Sequence, residues 1–172
     1  MKKKKVIQPP DPKKRMKIAI GIGVAIVVAV IAVNYNLDQS NLKGQRFGEN
    51  LSLVQSDLSN ETLSFDAKLT MYEKGQISKD QMLNITDAHI AKMQDILARY
   101  DSLSPPEPFV ASLQLFRLST QSQIDSDNML KEWVQTGDNA TRAKSDQMLQ
   151  ESLQYEMNAL QSYNNAKTGS SQ

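Results

Sequence analysis

The chain has no cysteine, one histidine, one tryptophan and seven glycines in 172 residues. Without cysteine there is no disulfide and no thiolate for nucleophilic attack or metal binding. A catalytic triad needs a base to activate its nucleophile, usually histidine, and His89 is the only one present. Outside the N-terminal segment the glycines are isolated, so no phosphate-cradling loop exists. All six prolines fall within residues 9–12 and 105–108, and aromatic residues make up 6% of the chain. The abundance of Gln, Ser, Asp, Asn, Leu and Met suits helices with hydrated outer faces rather than sheets. Paired carboxylates of the glycosidase kind remain open, because acids are scattered along the chain. Surface acids of helices are usually only a solvated face, and the expectation is a non-enzymatic protein with no cofactor.

The longest feature present is an uncharged run from Ile18 to Val33, directly behind a lysine cluster. Sixteen residues give roughly 24 Å of helix, slightly short of a bilayer core. Met16, a snorkelling Lys17 and an interfacial Tyr35 extend it. Residues 17–37 are therefore expected to cross a lipid bilayer once.

Charge sets the direction. Eight basic residues and one acid precede Ile18, whereas twelve basic and eighteen acidic residues follow Val33. Excess Lys and Arg stay on the cytoplasmic side. The predicted order is a basic cytoplasmic tail (1–16), the transmembrane helix (17–37), an extracytoplasmic helical bundle (41–167) and a disordered tail (168–172). Two other readings of the apolar run are a cleaved signal peptide, with Val30 and Ala32 at the cut, and a buried core helix. Gly21, Ala25 and Ala29 share one helix face, which suits close approach of two membrane helices or simply reflects common composition. The lysine cluster is either a topology signal or a site for anionic lipid. An acidic external domain repels phosphates, so no nucleic-acid partner is expected.

The external part has room for one domain of its own. Its first helix is expected over about 41–74, with Phe47, Leu51, Val54, Leu58, Phe65, Leu69 and Tyr72 on one face and a start weakened by Gly44 and Gly48. Gly75 ends it. Ser78 and Gln81 form a capping box, with Ile77 and Met82 as a hydrophobic staple, opening the second helix. That helix carries Leu83, Ile90, Met93, Leu97 and Tyr100 on one seam, with Met82, Ile85, His89, Ile96 and Leu103 beside it. Ser104 to Pro108 stops it, and Thr136-Gly137-Asp138 separates helix three from helix four. Helix four is read through Met148, Leu149, Leu153, Tyr155, Ala159, Leu160 and Tyr163, fraying after Ala166. Short connections imply antiparallel neighbours. The fold class is all-α, an N-terminal transmembrane helix followed by an up-down four-helix bundle.

Two turns, Pro105-Pro106-Glu107 and Gly137-Asp138, carry a resemblance. In both the chain is similar to single-pass or secreted helical-bundle proteins of archaea and Gram-positive bacteria, many of them uncharacterised. The likeness covers about the last 90 residues and implies a fold without an activity. The layout also resembles the external sensing domain of chemoreceptors, but lacks their second membrane helix and cytoplasmic signalling part.

Two features point towards chemistry. Met82, His89 and Met93 share a helix face, and thioether with imidazole suits Cu(I). Met71, Met129, Met148 and Met157 are available to complete such a set. The same spacing is ordinary in a core stripe, where Met fills gaps. The stretch Ser119 to Asp127 is polar on every face, which reads as a loose core or a polar pocket. Sequons at Asn50, Asn60, Asn84 and Asn139 fit an outside location if the host glycosylates. The expected function is a membrane-anchored interaction or structural module of the cell envelope, binding another protein or itself. The alternatives are a ligand-sensing bundle and a Met/His copper-binding protein.

Overall fold

The helix boundaries follow from local chemistry that can be read atom by atom. In the computed structural model, which describes residues 42–169, four long helices follow one another: α1 (Leu42–Glu73), α2 (Lys79–Asp101), α3 (Val110–Thr136) and α4 (Asn139–Gly169). A short 3-10 helix, Glu107–Phe109, leads into α3. Residues 17–37, expected to cross the membrane, lie outside the described residues. Among the described residues no helix is long and apolar enough to cross a membrane.

The expected capping box is present in both directions. Gln81 N–H donates to Ser78 Oγ at 3.2 Å, and Ser78 N–H donates to Gln81 Oε1 at 2.8 Å. Ile77 packs beside the buried Met82, completing the staple. Gly137 ends α3 at φ +74°, its N–H donating to the Trp133 carbonyl at 2.7 Å. Asp138 then caps α4 by accepting from Ala140 N–H at 3.0 Å and from Thr141 Oγ1 at 2.9 Å. These bonds hold the Asp138 carboxyl below its usual value. Helix α1 keeps its expected bounds and runs unbroken through Gly44 and Gly48. One boundary differs: α4 continues to Gly169, into the segment expected as a tail.

Cross-links between helices establish an up-down-up-down order. Asp57 pairs with Arg99 and Glu61 with Lys92 between α1 and α2. Asp101 pairs with Arg117 and Asp87 with Lys131 between α2 and α3. Glu73 pairs with Arg142 between α1 and α4. An aromatic cluster of Phe47, Phe109 and Tyr163 closes one end of the bundle. At the other end Tyr72 meets the edge of Trp133, over whose face Arg142 lies 4.2 Å from the ring centroid.

Helix α3 packs on α4 much more closely than on α2. The cause is a row of small side chains. On α3, Ser112, Ser119 and Ser126 recur every seven residues, and on α4 so do Ser145, Ser152 and Ala159. All six are fully buried. Ser126 donates to the Ser145 carbonyl at 2.8 Å, its hydroxyl lies 3.1 Å from that of Ser145, and Ser119 meets Ser152 at 3.2 Å. The same antiparallel register sets Ser112 opposite Ala159. Small hydroxylated residues let backbones approach while satisfying their own polar groups. The apolar interior is split in two: a larger cluster from Phe47 to Leu58 and their partners, and a smaller one of Phe65, Leu69, Met82, Leu130 and Val134.

Candidate functional site: two buried polar layers

What divides the two apolar clusters is polar. The stretch Ser119 to Asp127 is not a loose core: Ser119, Thr120, Gln123, Ser126 and Asp127 are all buried, and each is hydrogen-bonded across the bundle. Their partners lie on the other three helices, and two layers result, one between the two apolar clusters and one inside the larger, to which Tyr100 belongs.

The first layer centres on His89. Its Nδ1 is 3.0 Å from Glu61 Oε1 on α1, and its Nε2 is 3.1 Å from Asp127 Oδ2 on α3. With a carboxylate at each nitrogen, the ring when protonated donates from both and bridges three helices as an imidazolium. Burial pushes the His89 pKa down, but the bond and charge of Asp127, then those of Glu61, outweigh it and hold the value above the ordinary one. Glu61 answers in kind. Burial raises its carboxyl, yet bonds and charge from His89 and Lys92 bring it below the usual value. Thr62 donates to Gln123 Oε1 at 3.3 Å beside this triad.

The second layer takes one residue from each helix: Gln55, Tyr100, Thr120 and Glu156. Gln55 Nε2 donates to the Tyr100 hydroxyl at 2.8 Å. That hydroxyl lies 3.2 Å from Thr120 Oγ1, whose own proton goes to the Phe116 carbonyl. Glu156 is 0% exposed, and neither of its carboxyl oxygens has a hydrogen-bond partner. Gln55 Oε1 and Gln123 Nε2 are likewise buried without partners. Burial pushes the Glu156 carboxyl up to about 7, and the Ser119 hydroxyl, shared with Ser152, offsets part of the rise. Burial and the neighbouring Glu156 push the Tyr100 phenol far up, so it stays neutral.

The three residues singled out for copper are placed as follows. Met82 sits in the smaller apolar cluster, Met93 in the larger, and His89 in the polar layer between them. Both His89 nitrogens are taken by carboxylates, which leaves no lone pair for a metal. Among the described residues no group of three His, Cys, Asp or Glu side chains is set to hold a metal ion.

The sequons find a physical account. Asn50, Asn60, Asn84 and Asn139 are exposed on helices, while Ser52, Thr62, Thr86 and Thr141, two residues on, are buried. Three of those hydroxyls do structural work: Thr62 bonds Gln123, Thr86 bonds the Met82 carbonyl at 2.8 Å, and Thr141 bonds Asp138.

Sequence reasoning did not single out Glu156, Gln55 or the serine row. A search for large apolar side chains at helical spacing passes over a seam of Ser and Ala. The available signal was the strict 4-3 alternation of residues 145, 149, 152, 156, 159 and 163, which places a glutamate at a core position. No protein-family model, curated protein or solved structure matches this chain.

Proposed function

We propose that this chain is a non-enzymatic sensory bundle of the cell envelope, held in the membrane by residues 17–37 with its N-terminus cytoplasmic and its helical domain outside. The anchor rests on the apolar run and the charge split of the sequence. The sensory part rests on one observation, the way α2 is held. Helices α3 and α4 are joined by the close serine seam. Helix α2 is clamped from both sides by charges: Asp57–Arg99 and Glu61–Lys92 on one flank, Asp101–Arg117 and Asp87–Lys131 on the other, with His89 between. Exposed ion pairs contribute little each and respond to the medium. Such a helix is the natural moving part of a two-state element. A non-enzymatic role fits the committed nitrogens of His89 and the full burial of Glu156, which keeps its carboxyl away from substrates in solution.

Two experiments test this. In intact cells carrying the full chain with a tag at each end, external protease is expected to trim the C-terminal tag and spare the N-terminal one; the opposite pattern overturns the topology. In the purified full chain, amide hydrogen exchange is expected to show α2 opening at lower free energy than α3 and α4. Exchange of α2 only together with the whole bundle overturns the sensory reading.

A second reading, a protein-interaction module, draws on Leu53 and Met157, which stand 61% and 54% exposed on α1 and α4. Self-association weakened by Leu53→Ser would favour it.

A further inference from the structure

We propose that Glu156 is a proton-binding site, and that loss of its proton loosens α2 from the bundle. The inference rests on the sensory reading above and names its ligand.

In the two buried layers three acceptor oxygens stand unpartnered, Gln55 Oε1 and both carboxyl oxygens of Glu156, against one unpartnered donor, Gln123 Nε2. A proton on Glu156 turns one of its oxygens into a donor. Two donor atoms then stand against two acceptors, and the interior holds no net charge in this layer. No other guest corrects the count with so little volume, and a proton requires no cavity. Removing it reverses the balance: the carboxyl releases H⁺ to water and leaves a buried carboxylate whose one nearby donor, the Ser119 hydroxyl, is shared with Ser152.

The surroundings decide what gives way. Nearest Glu156 are Tyr100 from α2 and Ser119 from α3, and Gln55 from α1 and Thr120 from α3 bond the Tyr100 hydroxyl. Of these only Tyr100 titrates, and its phenol stays neutral. The charged groups nearest along those helices, Arg99 and Arg117, are paired at the surface with Asp57 and Asp101. No cation faces the new carboxylate from within the layer, so water must reach it. The α3–α4 seam is closed by backbone proximity and paired hydroxyls. Helix α2, which contributes Tyr100, packs on its neighbours across wider gaps than the seam, through apolar side chains and ion pairs at the surface. Its outward movement admits water at least cost. Because burial sets the Glu156 carboxyl at about 7, this response falls near neutrality rather than in the ordinary carboxylate range.

The test is hydrogen exchange of the full chain in detergent micelles at pH 6 and pH 9, corrected for intrinsic exchange, for the wild type and for Glu156→Gln. In the wild type α2 protection is expected to fall by about tenfold or more at the higher pH while α3 and α4 hold. In the Gln variant, which keeps shape and cannot ionise, that fall is expected to shrink to the part that loss of the His89 proton supplies. An equal fall in both proteins overturns the proposal but leaves the sensory reading standing, with another ligand. Absence of separate α2 opening at any pH overturns both. Carboxyl ¹³C NMR of the wild type provides a check that needs no variant: one glutamate titrating near neutrality is expected, and titration of every glutamate in the ordinary acidic range overturns the proposal.

Discussion

The imidazole of His89 lies flat on the ring of Phe65, with centroids 3.9 Å apart and planes within 2° of parallel. A charged ring on an aromatic face gains from the quadrupole. The stack also fixes the plane in which the two nitrogens point, one at Glu61 and one at Asp127. Phe65 belongs to the smaller apolar cluster, so the histidine joins the polar layer to the hydrophobic interior beneath it.

Removing His89 therefore leaves Asp127 and Glu61 partly buried without their shared cation. His89→Ala is expected to cost about 3–5 kcal/mol of unfolding free energy at pH 6, the range for breaking a buried charge pair. Urea denaturation measures it. Adding Asp127→Asn to that variant should recover part of the loss, since the uncompensated charge is then gone.

Stability should peak in mildly acidic solution. The pKa of His89 is raised by folding, so its contribution is complete below the unfolded value and is lost as pH rises through the folded one. Glu156 acts in the same direction, because its folded value of about 7 lies above the 4.5 of a free glutamate and ionisation is penalised in the native state. The shift corresponds to roughly 3 kcal/mol. Glu61 works oppositely: its folded value is lowered, and its contribution is lost as pH falls through that value. Denaturation midpoints between pH 3 and pH 9 should thus rise and then fall. Glu156→Gln should remove much of the alkaline decline and leave the acid limb in place.

The serine seam makes a steric prediction. Ser152→Ala removes one hydroxyl from a pair and should cost about 1 kcal/mol. Ser152→Leu forces several carbons between closely approaching helices and should cost about 3 kcal/mol or more, with loss of cooperativity in thermal unfolding. A well-tolerated Leu would mean that the two backbones are not held together here.

Gly137 isolates a backbone effect. An added Cβ would meet nothing within 4 Å, yet φ is +74°. Gly137→Ala should therefore cost about 1–2 kcal/mol from left-handed strain alone, and Gly137→Asn less. Thermal denaturation of both variants compares them directly.

The punctuation of the bundle was legible because it is local. Ser78 with Gln81, and Gly137 with Asp138, satisfy donors and acceptors within a few residues, so neighbours in sequence are enough to read them. The apolar stripe of α1 was legible for the same reason. The candidate site was not local. The partners of His89 lie 28 and 38 positions away, and no spacing on α2 reveals them. Met82 and Met93 looked like companions of His89 because they share its face, but they divide between two apolar clusters. In α4 the half-buried Met148 and Tyr155 drew attention by size, whereas the residues set most deeply are Ser145, Ser152, Glu156 and Ala159.

The seven-residue repeat of the seam carries a further consequence. Sliding α4 by one repeat, about 10 Å, would again lay small residues against small ones, so the seam alone has more than one alignment of similar fit. What selects among them is the tight link at Gly137 and Asp138, too short to span that slip. The turn is thus the ruler of the molecule as well as its corner. A flexible insert placed there would release the competing alignment and yield two species of equal mass and equal helix content, told apart only by which serines face one another.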